Sequence, residues 1–273
     1  HNLANLIKLV DRPLYDQYIL ERYKGSKPSN DAESLFDKFK TNTKDRLKSS
    51  TPLQGLTPFS QIDDEHPAKQ YLNNRKLPKE YFDRLYYCDR FQTYVNKVRP
   101  GTFDSLNKRY EHPRLIIPFY DVDNNVFAIQ GRAFGKEQPK YLTLKLQENK
   151  QKIFGLERVN LHKRLYVVEG PLDSLFLDNC IAAGGADLQL PADNKDVVFI
   201  FDNEPRNKEI IDRMYKLIDK DYMIVIWPEG TKEKDINEMI IKGKTKEDLQ
   251  KIISDNTYSG LSALTQLNSY KRI

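Results

Sequence analysis

Carboxylate side chains follow three predicted strands of this chain, each near the point where the strand ends. The predicted strands are 165–168, 197–201 and 222–227, and all three are rich in β-branched or aromatic residues. The acids that follow them are Glu169, Asp173, Asp202, Glu204 and Asp235. Carboxylates that share a site repel one another, so their convergence is costly unless a hard cation lies between them. The pattern therefore predicts a site for Mg²⁺ or Mn²⁺.

A simpler role is open to each acid taken alone. An Asp or Glu just past a strand often caps a helix or forms a turn, and this applies to Asp173, Asp202 and Asp235. Three acidic strand ends in one sheet are less readily explained as three caps. Asp202 and Glu204 are two residues apart, so at the end of an extended strand we expect their side chains to point the same way.

The sequence has no cysteine or histidine pattern typical of zinc ligation or nucleophilic catalysis. Cys88 and Cys180 lie far apart without a CxxC pair, and the four histidines are scattered. We expect no zinc site within these residues, no disulfide framework and a reducing, cytoplasmic location. The sequence also has no apolar stretch of about 18 residues and no charged-then-apolar leader, which predicts a soluble protein with no membrane partner.

Positive charge is concentrated in the middle of the chain. Residues 66–165 carry a net charge of +10, against 0 for residues 1–65 and −5 for residues 166–273. Aromatic residues interleave with this charge: Tyr71, Tyr81, Phe82, Tyr86, Tyr87, Phe91, Tyr94, Phe103 and Tyr110. Cations beside aromatic rings suit phosphate neutralisation and base stacking, which favours a nucleic-acid partner. The alternative is a solvated surface over a tyrosine-rich core.

Strands and helices alternate in the part of the chain that carries the acids. The predicted strands are 165–168, 181–183, 197–201 and 222–227, and the predicted helices are 172–177, 209–218 and 236–241. This alternation predicts an α/β fold with an open, mostly parallel sheet flanked by helices. In such sheets functional groups gather at the carboxyl ends of the strands, which is where these acids lie.

The basic segment before this sheet has a different periodicity. Apolar runs at 114–119 and 126–131, joined by a turn cluster at 121–125, predict a hairpin, and residues 141–146 alternate as a further strand would. Short helices are predicted at 67–73 and 78–86, each opened by a proline. The basic segment is therefore predicted to be an α+β subdomain.

Four regions follow from these patterns. We predict a helical and flexible N-terminal arm at 1–60, a basic subdomain at 61–160, an α/β domain that carries the acids at 161–245 and a C-terminal helix or tail at 246–273. Within the arm, 3–23 is predicted to be helical and 24–57 to be a tether. The last region has apolar residues at Leu249, Ile252 and Ile253. It is either a docking helix or a frayed tail.

Three sequence motifs resemble those of the TOPRIM domain, which bacterial-type primases, topoisomerases and some nucleases share. They are VVEGPLD, FIFDNE and KDINEMI. The resemblance covers residues 164 to about 242, which implies that 161–245 is the catalytic domain. Upstream, the segments RLIIPFYDVDNNVFAIQGRAFGKEQPKYLTL and KIFGLERV are similar to the basic subdomain of DnaG-type primases. The resemblance is greatest to primases of tailed bacteriophages, which implies a location in the host-cell cytoplasm.

This resemblance implies roles for individual residues. Glu169, Asp202 and Glu204 match the catalytic acids of the family, and these three with Asp235 and Asp173 match its metal-binding acids. Arg132 and Lys140 match basic residues that contact template or incoming nucleotide, and Arg114 is a weaker match. The acidic pair ends in Glu204 rather than the usual Asp, which alters the spacing of bound ions. Primases of this family also carry an N-terminal zinc ribbon; since the chain starts at His1, we expect the ribbon to have been removed or to lie upstream.

The implied activity is template-directed synthesis of short RNA primers on single-stranded DNA from ribonucleoside triphosphates, beside a replicative helicase. Two alternatives stay open from the sequence. The same acids would serve a metal-dependent TOPRIM nuclease, and a non-catalytic module that binds single strands or a helicase would retain the basic segment without activity. The segment GRAFGKEQPKYL favours synthesis over cleavage.

Overall fold

The computed structural model describes residues 52–103, 111–183 and 196–273. The chain divides into two units, 1–54 and 55–273, and the fold described below is that of the second. The helix predicted at 3–23 lies outside the described residues, as does the tether predicted at 24–57 apart from its last six residues. The predicted arm at 1–60 therefore stays a prediction over most of its length. Flexibility is wrong for its last residues, because Thr57 and Pro58 pair with Tyr87 and Tyr86 in a sheet and Phe59 is fully buried.

The basic segment, together with Thr57 and Pro58 before it, forms an antiparallel sheet of five strands in chain order. The strands are β1 (Thr57–Pro58), β2 (Tyr86–Cys88), β3 (Arg114–Tyr120), β4 (Val126–Ala133) and β5 (Tyr141–Lys145). The predicted hairpin is β3 and β4. Its turn is fixed by Asp121, whose carboxylate accepts the backbone N–H groups of Asp123 at 3.0 Å and Asn125 at 2.9 Å. Such local acceptance by Asp is a common means of closing a turn.

Two helices accompany this sheet, α1 (Pro67–Asn74) and α2 (Phe91–Val98). Helix α1 matches the prediction and begins at Pro67, with His66 accepting the N–H of Ala68 at 3.1 Å. The helix predicted at 78–86 is wrong. Only a 3₁₀ turn, Lys79–Tyr81, forms there, because Tyr86 pairs with both β1 and β3 in the sheet. Ladder pairing with distant strands overrides local propensity at this point.

The second sheet has the predicted mostly parallel arrangement. Its strands are β6 (Ile153–Phe154), β7 (Leu165–Val168), β8 (Cys180–Ala183), β9 (Val197–Ile200), β10 (Met223–Val225) and β11 (Thr257–Tyr258), in the order β11-β10-β9-β7-β8-β6. The four central strands are parallel, and the two outer strands are antiparallel to their neighbours. The α/β fold class is confirmed.

The helices of this region are α3 (Lys208–Ile218), α4 (Ile236–Ile241), α5 (Lys246–Asp255) and α6 (Gly260–Tyr270). The helix predicted at 172–177 is a 3₁₀ turn, Asp173–Phe176, in which the Ser174 hydroxyl donates to the Pro171 carbonyl at 2.7 Å. Of the two alternatives for 246–273, the frayed tail is wrong, because this region forms two helices with buried residues. Helix α5 opens with a capping box between Thr245 and Asp248, and Leu249 of α5 and Leu267 of α6 are fully buried. Within the described ranges, all helices are too short or too polar to cross a membrane.

The two sheets contribute to the same apolar core. One cluster of buried residues contains Ile117 and Phe119 of β3 together with Val168 of β7 and Ile200 of β9. The rings of Phe119 and Phe154 meet edge to face with centroids 5.5 Å apart. The apolar core is continuous across the domain boundary that we predict between residues 160 and 161. The division into two domains with different functions therefore stays a prediction.

We expect Gly131→Ala to lower the free energy of unfolding by roughly 1–3 kcal/mol, the usual cost of overpacking. A Cβ atom at Gly131 would lie 2.3 Å from the ring of Phe91, so α2 would have to move off β4. Urea unfolding measures this change. Gly135→Ala is the control, because its Cβ meets only the flexible carboxylate of Glu137. Equal effects of the two substitutions would contradict the prediction.

Candidate active site

Two of the predicted acids meet at the carboxyl ends of neighbouring parallel strands. Glu169 follows β7 directly, and Asp202 lies two residues past β9. The strands pair with Val168 opposite Ile200, which brings the two chain segments side by side. The backbone N–H of Asp202 approaches Glu169 Oε2 at 3.4 Å. The parallel register therefore places both acids at one edge of the sheet.

Asp173 and Asp235 lie at the start of α4, close to the first pair. Asp235 is the N-cap of this helix and accepts the N–H of Glu238 at 2.7 Å. Asp173 accepts the N–H of Asn237 at 3.1 Å. The capping role considered from the sequence thus holds for Asp235. Gly170 permits the close approach of Asp173, because a Cβ there would lie 2.3 Å from its carboxylate.

Mutual repulsion and burial show in the proton affinity of two of these acids. Burial raises the pKa of Asp202 to about 7, with further contributions from the negative charges of Glu169, Asp173 and Asp235. Burial likewise raises the pKa of Asp173 to about 6, assisted by Asp235 and opposed by Arg75 and Arg132. Four carboxylates therefore act on one another electrostatically at this edge.

Glu204 takes a different partner. Its carboxylate pairs with the ammonium of Lys234 and accepts the amide of Asn207 at 2.6 Å, and these contacts lower its pKa. The expectation that Glu204 and Asp202 point the same way assumed a continuing strand. Strand β9 instead ends at Ile200, and the chain turns so that the N–H of Glu204 donates to the Asp202 carbonyl at 2.8 Å.

Asn203, between these acids, ties the loop after β9 to the loop before α4. Its N–H donates to the Lys234 carbonyl at 2.6 Å, and its side-chain amide donates to the carbonyls of Thr231 and Glu233 at 3.0 Å each. Tyr270 of α6 donates to the same side chain at 3.0 Å. Asn203 was not predicted as a site residue from the sequence. Its position between the two motif acids Asp202 and Glu204 was the available signal.

The oxygen donors suit a hard divalent cation, although they are not arranged as a finished ligand set. Across the ranges that the structure describes, no group of three or more His, Cys, Asp or Glu side chains is positioned to hold a metal ion. Glu169 is engaged by Arg213 at 2.6 Å and Glu204 by Lys234. The raised pKa values of Asp202 and Asp173 still reveal negative charge that a cation would relieve.

Arginine and tyrosine side chains from the first sheet and α1 form the facing side of the site. Arg132 is 4% exposed, and its Nε donates to the Tyr71 hydroxyl at 2.8 Å. Arg75 Nε donates to the same hydroxyl at 3.0 Å, and its guanidinium also reaches the side chain of Asn237 in α4. The Asn237 amide donates in return to the Arg75 carbonyl at 2.7 Å. Arg75 and Tyr71 were not singled out as site residues from the sequence.

The two other predicted basic residues occupy different environments. The Lys140 ammonium lies 5.7 Å from the ring of Tyr141 on an exposed surface. Arg114 is 3% exposed and donates to the carbonyls of Gly131 at 3.1 Å and Pro139 at 2.9 Å. Burial lowers the pKa of Arg114. Its contacts fix the backbone that carries Arg132 and Lys140.

The raised pKa of Asp202 predicts how stability depends on pH. The folded protein holds a proton on Asp202 up to about pH 7, whereas the unfolded chain releases it near 3.8, so stability falls as pH rises between these values. In the presence of EDTA, we expect Asp202→Asn to raise the free energy of unfolding by roughly 0.5–2 kcal/mol at pH 8 and by less at pH 5.

Denaturant titrations at the two pH values measure the effect. Asp212→Asn, an exposed carboxylate on α3, is the control and should show no such pH dependence. A benefit of Asp202→Asn that is equal at both pH values would contradict the assignment of charge crowding.

Comparison with known proteins adds to this geometry. No protein-family model matches the chain. A DNA primase of Enterobacteria phage T4 is 34% identical over 274 residues, which cover 98% of this chain and 78% of the phage protein.

Two solved structures have a similar fold. The zinc-binding and RNA polymerase domains of the Aquifex aeolicus primase align with 94% of this chain and 71% of their own, at 18% identity and a TM-score of 0.55. A DnaG primase catalytic domain bound to single-stranded DNA aligns with 78% of each chain, at 20% identity and the same TM-score. With a third of its residues shared with the T4 protein over nearly its whole length, the chain belongs to the DNA primase family of that phage protein, and its fold resembles that of DnaG primase domains.

Proposed function

We propose that this primase joins ribonucleotides on a single-stranded DNA template at the edge of the second sheet where Glu169, Asp173, Asp202 and Asp235 converge. The observation that carries the proposal is the convergence of these acids, which follows from the register of β7 and β9 and from the contacts of Asp173 and Asp235 with the start of α4. Burial and the three neighbouring carboxylates also raise the pKa of Asp202. Such crowding is a cost to the fold and is characteristic of catalytic sites.

Asp202, Asp173 and Asp235 would hold divalent metal, Mg²⁺ or Mn²⁺, with Glu169 at the rim. When bound, the metal would lower the pKa of the attacking hydroxyl and neutralise charge on the transferring phosphate. Glu204 would join this set when its ion pair with Lys234 opens. The proposal is supported by an all-oxygen donor set, which hard cations prefer.

The chain's own groups then hold the reactants in line. In the reaction the 3′-hydroxyl oxygen bonds to the α-phosphorus of the incoming ribonucleotide, the bond to the bridging oxygen breaks, and pyrophosphate leaves. The carboxylate of Glu169 accepts the hydroxyl proton in this proposal. Its position beside the Asp202 backbone keeps that acceptor at the same sheet edge as the metal ligands.

We assign the triphosphate and template to the basic side of the cleft. Arg132 and Arg75 flank the Tyr71 hydroxyl and act electrostatically on Asp173, so an anion between them would lie next to the acids. Lys140, which is exposed beside Tyr141, would contact the phosphate backbone of the DNA template. Arg114 would act indirectly, by holding the hairpin that presents these residues. The single-stranded DNA bound to the similar DnaG domain supports a single-stranded template here.

A replicative helicase is the proposed protein partner, and the host-cell cytoplasm the proposed location. Both rest on the phage primase relationship rather than on a particular surface of the molecule. Helices α5 and α6 remain candidates for the contact.

Glu169→Gln and Asp202→Asn should each reduce primer synthesis at least about 100-fold, because each removes a carboxylate from the reacting centre. The assay contains single-stranded DNA, labelled ribonucleotides and Mg²⁺, and it resolves primers from degraded template. Asp212→Asn, which removes an exposed acid from α3, should leave the rate unchanged.

Equal product from the wild type and both site variants would refute the acid assignment. Degradation of the template without primers would instead favour the nuclease alternative.

Lys140→Met should weaken binding of single-stranded DNA and reduce the slope of log affinity against log salt by about 0.7, the value for one phosphate contact on a single strand. Fluorescence anisotropy at several salt concentrations measures both quantities. Lys163→Met is the matched control, since Lys163 is exposed at the opposite, amino end of β7. An unchanged slope for Lys140→Met would place the template elsewhere.

A further inference from the structure

We propose that Arg213 is a positioning residue for Glu169, whose carboxylate it holds in one orientation at the sheet edge. The inference rests on the role proposed above for Glu169, and it concerns a residue that the motifs do not include. Arg213 lies in α3, the helix that follows the Asp202 loop.

The contact is direct and partly sheltered from solvent. Arg213 Nη1 lies 2.6 Å from Glu169 Oε1, and the two side chains are 18% and 24% exposed. The guanidinium stacks over the ring of Phe201, with its carbon 5.0 Å from the ring centroid. Phe201 directly precedes Asp202 in the chain. Arg213 therefore contacts the segments that follow both β7 and β9, where the proposed catalytic acids lie.

The position of the Arg213 guanidinium does not favour the stability of the fold. Arg213 Nε is buried and has no hydrogen-bond partner among the residues that the structure describes. A buried unsatisfied donor costs free energy, and a partly buried ion pair gives little net stabilisation. An apolar residue on this helix face would pack against Phe201 at lower cost. The guanidinium is better explained by what it does to Glu169.

The pairing constrains the orientation of Glu169. It fixes one carboxylate oxygen, Oε1, and leaves the other, Oε2, toward the Asp202 backbone. A carboxylate held in one orientation loses less entropy when the reactants arrive.

Three variants test this role by steady-state primer synthesis. Arg213→Met should lower kcat about 10–100-fold, the usual effect of removing a residue that orients a catalytic group, with KM for ribonucleotides changed less than about threefold. Arg213→Lys should recover most of the activity, because the contact to Glu169 is a single N–O approach rather than a two-pronged one. Lys216→Met removes an exposed charge from the same helix and should have no effect.

Thermal melting separates positioning from folding. Arg213→Met should melt within about 4 °C of the wild type, a change of about 1 kcal/mol for a domain of this size. A large loss of melting temperature in Arg213→Met, with activity lost in proportion in Arg213→Lys, would indicate a structural anchor and overturn the proposal.

A second background tests whether Arg213 acts through Glu169. Glu169→Asp shortens the side chain by one methylene and withdraws it from Arg213 while retaining the carboxylate. In that background Arg213→Met should reduce kcat less than about threefold further, because the contact is already broken. A full 10–100-fold further loss would show that Arg213 acts elsewhere. If Glu169→Gln is itself fully active, the proposed function fails; if Glu169→Gln is impaired but Arg213→Met is not, only this inference fails.

Discussion

Electrostatic repulsion among carboxylates at one sheet edge is the constraint around which this site is built. Asp202 is half-buried near Glu169, Asp173 and Asp235. Burial and the neighbouring charges raise the pKa of Asp202 and Asp173, and cationic side chains lie around the group. Arg213 neutralises one side of the group. A parallel sheet brings these acids together, since the residues that follow neighbouring parallel strands lie at the same edge of the sheet.

The basic and acidic segments of the sequence contribute mainly to different sheets of the structure. The segment 66–165, with net charge +10, supplies four of the five strands of the antiparallel sheet and α1. The acidic segment 166–273 supplies most of the second sheet, whose edge strand β6 comes from the basic segment. Their junction is held by specific contacts rather than by charge alone: Arg75 and Asn237 exchange hydrogen bonds in both directions. The cationic and anionic sides of the site therefore belong to one packed body with a shared core.

The central sheet could be predicted from the sequence because β-branched strands and amphipathic helices alternate there with little ambiguity. Helix 236–241 and strand 165–168 match their predicted bounds. The failures occur where distant contacts decide. Tyr86 joins a ladder instead of a helix, and Glu204 turns toward Lys234 because β9 stops before the acids. The ion pair between Glu169 and Arg213, 44 residues apart, has no local signal at all.

Helix α6 contacts the loop after β9 through the hydroxyl of Tyr270, which donates to Asn203 across 67 residues of sequence. Just past the helix, the N–H of Arg272 donates to the Pro205 carbonyl at 2.8 Å. Strand β11, just before α6, covers the edge of β10, and Ala263 and Leu267 seal the packing against the sheet. The loop between Asp202 and Glu204 is thus completed by chain made much later. During synthesis on the ribosome, the acids would emerge well before the segment that fixes their loop, so this loop could take its final form only after α6 has left the ribosome.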